Sequence, residues 1–172
     1  MMRTKYCGAA RAADAGERMT AAGWMRARRD MGGVIFIDLI DREGELQVVC
    51  DAGRLSPEAF SLAETVKAQA VLRASGTLRL RDEETKNARL VTGEVELYAD
   101  TLELLSTADP LPFSLEEGAK VREELRLRYR YLDLRRPEVF SALAFRHRVQ
   151  RAAETYLCDR GFLSVETPIL TK

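Results

Sequence analysis

One stretch, Gly33–Asp51, constrains the fold of this chain more than any other. Val34-Ile-Phe-Ile-Asp-Leu-Ile-Asp41 is rich in β-branched residues and can be read with a two-residue period. Glu43-Gly44 supplies turn chemistry, and Glu45–Asp51 returns as a second strand, so the two runs predict a hairpin. Ile35, Ile37 and Leu39 form one face, matched across the pair by Leu46, Val48 and Cys50. Phe36 and Asp38 then fall on the opposite face with Gln47 and Val49. Two readings of that face stay open. An outward aromatic and a carboxamide beside arginines can stack on and hydrogen-bond to an unpaired base, or Phe36 packs in a second buried layer.

The flanking segments extend the hairpin. Met19–Arg29 gives a weak strand signal, closed by turn chemistry at Asp30-Met31-Gly32-Gly33. After the hairpin, Ser56 is a good N-cap, Pro57 suits the first helical position and Glu58 complements the helix dipole. Phe60, Ala63, Val66 and Ala70 recur at helical spacing. Val71–Arg81 reads as a strand interrupted by Gly76, Asp82–Arg89 as a charged exposed loop, and Gly93–Leu97 as the opening of a last strand. Three strands, one helix and two strands is the order of an OB-fold, an all-β five-stranded barrel with one inserted helix that binds oligonucleotides on one face.

Beyond Ser106 the character changes. Asp109-Pro-Leu-Pro112 reads as a stiff linker. Glu116–Tyr131 reads as a helical stretch dense in Glu and Arg at spacings that permit ion pairs, of the kind that usually mark a solvated face. Pro137 starts a longer helix with Phe145, Val149, Ala152 and Tyr156 along one stripe, closed by Gly161. Phe162–Glu166 reads as a short strand broken by Pro168. The expected organisation is a barrel over residues 1–108, a linker over 109–136 and the start of a second domain over 137–172.

Composition removes several classes of chemistry. The 27 basic and 27 acidic side chains balance, so charge-driven binding to duplex DNA has little support. Arginine nevertheless clusters at Arg26, Arg28 and Arg29, and again from Arg122 to Arg151. Codon bias would explain this as well, since Asn87 is the only asparagine; local clusters on a neutral protein suit a shaped nucleic acid. Cys7, Cys50 and Cys158 are widely spaced and His147 stands alone, which argues against a disulfide framework, a metal centre or a Ser-His-Asp triad. No P-loop and no G-x-G-x-x-G is present. Without an apolar run long enough for a membrane span, and with no apolar core behind Arg3 and Lys5, the chain reads as a soluble cytoplasmic protein with no catalytic or metal-binding residues of its own.

Five segments carry a family resemblance: Arg3-Thr-Lys-Tyr-Cys-Gly8; Gly23-Trp24 with Arg28-Arg29-Asp30; Val34–Leu39 running to Asp41-Arg-Glu-Gly44; Tyr129–Glu138, which includes Leu-Asp-Leu-Arg-Arg-Pro-Glu; and Gly161–Lys172. In this order they resemble the N-terminal part of the bacterial aspartyl-tRNA synthetases, class II enzymes with an OB-fold anticodon-binding domain. The resemblance implies that Phe36 stacks on an anticodon base, that Gln47 reads the middle base, that Glu94 contacts the first, and that Arg28 and Arg29 lie near the anticodon loop. It implies that the helical linker leads into motif 1, the first helix–strand element of an α+β class II catalytic domain, whose proline, here Pro168, lies in a homodimer interface.

The family's motifs 2 and 3, with their ATP-binding arginines and the aspartate pocket, have no counterpart in this sequence. The resemblance therefore implies a complete enzyme that joins L-aspartate to ATP with Mg²⁺ assisting and then charges the tRNA. This chain would be inactive in that reaction alone, with no cofactor expected bound to it. Ala27 and Ile40 stand where the family usually carries arginine, which lowers local positive charge. Met31 leans towards strict use of aspartate tRNA. The competing expectation is a non-enzymatic OB-fold module that binds single-stranded nucleic acid without sequence preference.

Overall fold

In the computed structural model, which describes residues 2–167, the chain divides into two compact units, Met1–Pro110 and Leu111–Lys172. The first contains strands β1 (Arg18–Asp30), β2 (Val34–Asp41) and β3 (Gly44–Asp51), helix α1 (Pro57–Thr65), and strands β4 (Val71–Leu80) and β5 (Val95–Ser106). The strands close into a barrel in the order β1-β2-β3-β5-β4, all neighbours antiparallel except β3 and β5. This is the OB-fold read from the order of elements.

The two-residue period of the hairpin is realised as expected. Ile35 pairs with Cys50, Ile37 with Val48 and Leu39 with Leu46, and all six side chains are buried in the barrel interior. Leu72, Ala74 and Leu78 of β4 and Val95, Leu97 and Ala99 of β5 complete the same cluster. At Gly76 the sheet needs a residue without a side chain: a Cβ there would lie 1.8 Å from the Tyr98 carbonyl oxygen, beside the register shift between Ser75 and Gly76. The Ser56 hydroxyl caps α1 by accepting from the Ala59 N–H at 3.2 Å. This helix ends earlier than the apolar spacing suggested. Val66 and Ala70 are both buried, but Ala70 is reached through a turn in which Gln69 takes φ 69°.

The second unit is helical: α2 (Glu123–Arg128), α3 (Arg130–Asp133) and α4 (Pro137–Cys158). The single stretch expected over Glu116–Tyr131 is thus a 3-10 turn at Gly118–Lys120 followed by two short α-helices, which are separated at Tyr129 with φ −110° and ψ 47°. Side chains from both sides of the break meet at one acid. Asp133 is fully buried and accepts from Arg136 at 2.9 Å and from Arg130, with Arg126 3.9 Å away, so three guanidiniums from different turns converge on one carboxylate.

At the end of α4 the Phe162 N–H bonds the Leu157 carbonyl and the Gly161 N–H bonds that of Cys158, with Gly161 at φ 85°, the glycine-terminated ending the sequence implied. Phe162–Glu166, expected as a strand, is not one among the described residues. A strand exists through its ladder partner, and no β-strand is described in this unit to supply one. Pro168 lies outside the described residues.

Candidate nucleic-acid interface

Because directly paired residues share a face, the register fixes what the outside of the barrel presents. Arg29 pairs with Phe36, Phe36 with Val49, and Val49 with Tyr98, giving a row across β1, β2, β3 and β5. The neighbouring row holds Ala27, Asp38 and Gln47, with Glu96 bonded to Gln47. Phe36 belongs to no interior cluster; it is half-buried on this outer face. Val49 is also outside the interior cluster, yet only 1% exposed.

Around these side chains runs a continuous polar network. Arg26, at the irregularity in β1 between Met25 and Ala27, donates to Glu45 at 2.7 Å and lies 3.7 Å from Asp38. Arg29 donates to Asp38 at 3.1 Å and to the Gln47 Oε1 at 2.8 Å. Gln47 Nε2 donates to Glu96 at 2.8 Å, and Arg81 sits 3.8 Å from Glu96 while donating to the Val95 carbonyl. Gln47 is held between a donor on its oxygen side and an acceptor on its nitrogen side, so only one orientation of its amide satisfies both. The remaining amide hydrogen and carbonyl lone pair are left in a fixed order.

Burial raises the pKa of two carboxyls in this network. The Glu45 carboxyl is pushed above the ordinary carboxylate range by desolvation, opposed by Arg26 and reinforced by the charge of Asp38. Glu96 is raised by desolvation too, opposed by Arg81 and by the hydrogen bond from Gln47. Three carboxylates here neutralise three arginines, so the face carries its own counterions before any ligand arrives.

The structure brings Arg29, Phe36 and Gln47 together but separates the other two candidates. Arg28 pairs with the core residue Ile37, on the opposite face from Phe36, and donates to the Ala63 carbonyl of α1 at 3.2 Å. Glu94 is exposed just before β5, its backbone carbonyl accepting from the Arg81 N–H. The carboxylate of β5 bonded to Gln47 is Glu96, two residues on. The alternation Val95-Glu96-Leu97 carried the signal that Glu96 points outward; its closeness to Gln47 depends on the β3–β5 pairing. Arg81, the residue just past β4, joins the same network without a local signal in the sequence.

A closed five-strand barrel with an aromatic and an orientation-locked amide on its outer face defines the class. The model of the OB-fold nucleic acid binding domain matches residues 19–105, just over half of the chain, and the chain belongs to that family. Residues 122–172 match the model of the class II tRNA synthetases (D, K and N). Over 171 residues the chain is 45% identical to the aspartate–tRNA ligase of Staphylococcus aureus (strain Newman), an alignment covering 99% of this chain and 29% of that protein. The chain thus spans about 29% of the length of the curated relatives it matches. Among solved structures, asparaginyl-tRNA synthetase from Pyrococcus horikoshii superposes with a TM-score of 0.82 at 24% identity, covering 99% of this chain and 39% of that one. Aspartyl tRNA synthetase from Entamoeba histolytica gives 0.79 at 20% identity, covering 92% and 38%. At these identities the two superpositions speak for the fold.

Proposed function

We propose that this chain is the anticodon-reading part of an aspartate–tRNA ligase, and that it binds the G-U-C loop of aspartate tRNA through the outer face of its barrel. The observation that carries this reading is Gln47, 9% exposed and clamped between Arg29 and Glu96 beside the outward ring of Phe36. A uracil edge offers an N–H next to a carbonyl oxygen; adenine offers an acceptor next to an amino group, the reverse order. A freely turning amide could serve both bases, whereas a clamped one favours a single order and so discriminates. Phe36 supplies the sequence-tolerant part, a stacking surface worth about 1–3 kcal/mol per base. In this reading Arg29, Phe36, Gln47 and Glu96 contact the loop on the network face, and the exposed side chains of Arg28 and Glu94 would meet the tRNA outside that row.

The complete enzyme would couple L-aspartate to ATP, with Mg²⁺, and pass the aspartyl group to the tRNA in the cytoplasm. Among the described residues no group of three His, Cys, Asp or Glu side chains could hold a metal ion, and no residue of this chain is given a part in adenylation. The 137–172 element, including Pro168, would contribute to a homodimer interface. The exposed Phe145, Val149 and Tyr156 of α4 support that assignment, since such a stripe calls for a cover.

The test is a fluorescence-anisotropy titration of the chain with two stem-loops, G-U-C and G-A-C, at fixed salt. The expected result is a preference of about tenfold or more for G-U-C, the scale of one buried polar group left unpaired. Equal affinity for both would replace this reading with a sequence-indifferent single-strand binder.

A further inference from the structure

The outer face carries a second aromatic that the reading above does not use. Tyr98 of β5 stands in register with Val49, which in turn pairs with Phe36, so the two rings flank one valine on the same face. The Arg79 guanidinium lies over the Tyr98 ring, 4.1 Å from its centroid. Arg79 pairs across the sheet with Glu96, the carboxylate bonded to Gln47. The Tyr98–Arg79 stack therefore continues the network without a gap. It is not interior packing, because Tyr98 is half-buried and absent from the core cluster.

From this placement we propose that Tyr98, with Arg79 over it, is a second stacking platform for an unpaired base of the bound RNA loop, separate from the base held by Phe36. This inference rests on the RNA-reading function proposed above. β3 lies between the strands that carry the two rings, a separation of about 9–10 Å at ordinary strand spacing. A single base sandwiched between both would need only about 7 Å, twice the ~3.4 Å stacking repeat. The rings thus serve different nucleotides. Flat cationic and aromatic groups are the side chains on which unstacked bases settle, and here one of each is already stacked. Gln47 and Glu96 lie in the neighbouring row, alongside the platforms, where the edge of a base would be read.

A protein-by-RNA cycle tests the proposal. The probes are the G-U-C stem-loop and a set of the same stem-loop with one abasic site at each loop position, titrated against the unsubstituted chain, Phe36→Ala, Tyr98→Leu and Tyr98→Phe. Tyr98→Leu is expected to weaken binding to the intact loop about tenfold and to lose that effect with one abasic loop only. Phe36→Ala should couple to a different position, and Tyr98→Phe should bind within twofold of the unsubstituted chain. The platform is overturned if Tyr98→Leu binds normally, or if its defect is the same for every abasic loop, as expected of a packing effect through Val49. Should Phe36→Ala and the G-A-C loop also have no effect, it is the underlying RNA-reading function that fails. Equal thermal unfolding of the Tyr98 variants and the unsubstituted chain keeps misfolding out of the comparison.

Discussion

Arginines and carboxylates meet in two places in this molecule, with opposite results. In the helical unit one acid, Asp133, sits at 0% exposure among Arg126, Arg130 and Arg136. Burial alone would push its carboxyl up, but the hydrogen bond from Arg136 and the three positive charges win and hold it below the usual carboxylate range. On the barrel face, Asp38, Glu45 and Glu96 share Arg26, Arg29 and Arg81, and burial and neighbouring negative charge leave Glu45 and Glu96 raised. An acid outnumbered by guanidiniums is a fastener. Acids matched one to one, with partners that are 41% and 57% exposed at Arg26 and Arg29, can be exchanged for another anion.

The sharpest way to break this comparison is Asp133→Asn. It leaves Arg136 buried without its carboxylate, and breaking such a pair costs about 3–5 kcal/mol. Hydrogen exchange should show protection lost across α2 and α3, while the affinity of the barrel for the G-U-C stem-loop stays the same. Unchanged protection would mean that Asp133 fastens nothing.

On the barrel the corresponding change, Asp38→Asn, should do the reverse. Stability should move by less than about 1 kcal/mol, as for other partly exposed pairs. RNA binding should tighten a few-fold, because Arg29 no longer has to leave a carboxylate. Weaker binding would show that Asp38 itself contacts the RNA.

Acid separates the two clusters further. The charged form of Glu96 is disfavoured on folding, so its cost is present above its raised value and vanishes as pH falls below the ordinary ~4.3. The stability advantage of Glu96→Gln at pH 7, read from urea midpoints, should therefore narrow by pH 4.5. The contribution of Asp133 runs the other way: it is complete above the ordinary ~3.9 and is lost only as pH falls below that towards its lowered value. The smallest effect is expected at α4, whose described side chains are all at least partly exposed. Val149→Ala should change stability by no more than about 0.5 kcal/mol.

Much of the barrel was legible because its signals are local. The alternation through Val34–Asp41 and Glu45–Asp51 sets the inward and outward sides whatever the hairpin later packs against, and the Ser56-Pro57 start of α1 needs only its own turn. The outward positions of Phe36 and Gln47 follow from the same period. Arg28 and Arg29 could have been told apart on that basis too, since neighbouring residues on a strand face opposite ways; the irregularity at Arg26 hides the phase of β1. That Glu96 lies beside Gln47 is a different matter, since it depends on the parallel register between β3 and β5, strands far apart in sequence. The failure of Phe162–Glu166 to form a strand has the same origin, for a strand is made by its partner.

The sequence by itself determined the order of elements, the two faces of the hairpin and the change of character near residue 110, because each rests on spacing within one element. Tertiary structure decided which side chains meet: Gln47 clamped by Arg29 and Glu96, Tyr98 under Arg79, and Asp133 among three arginines. The barrel contacts among these join residues from different strands, set by barrel closure and register rather than by any local pattern. The Asp133 contacts are short in sequence, but it is the packing of the helical unit that buries the carboxylate, at a desolvation cost the three guanidiniums offset.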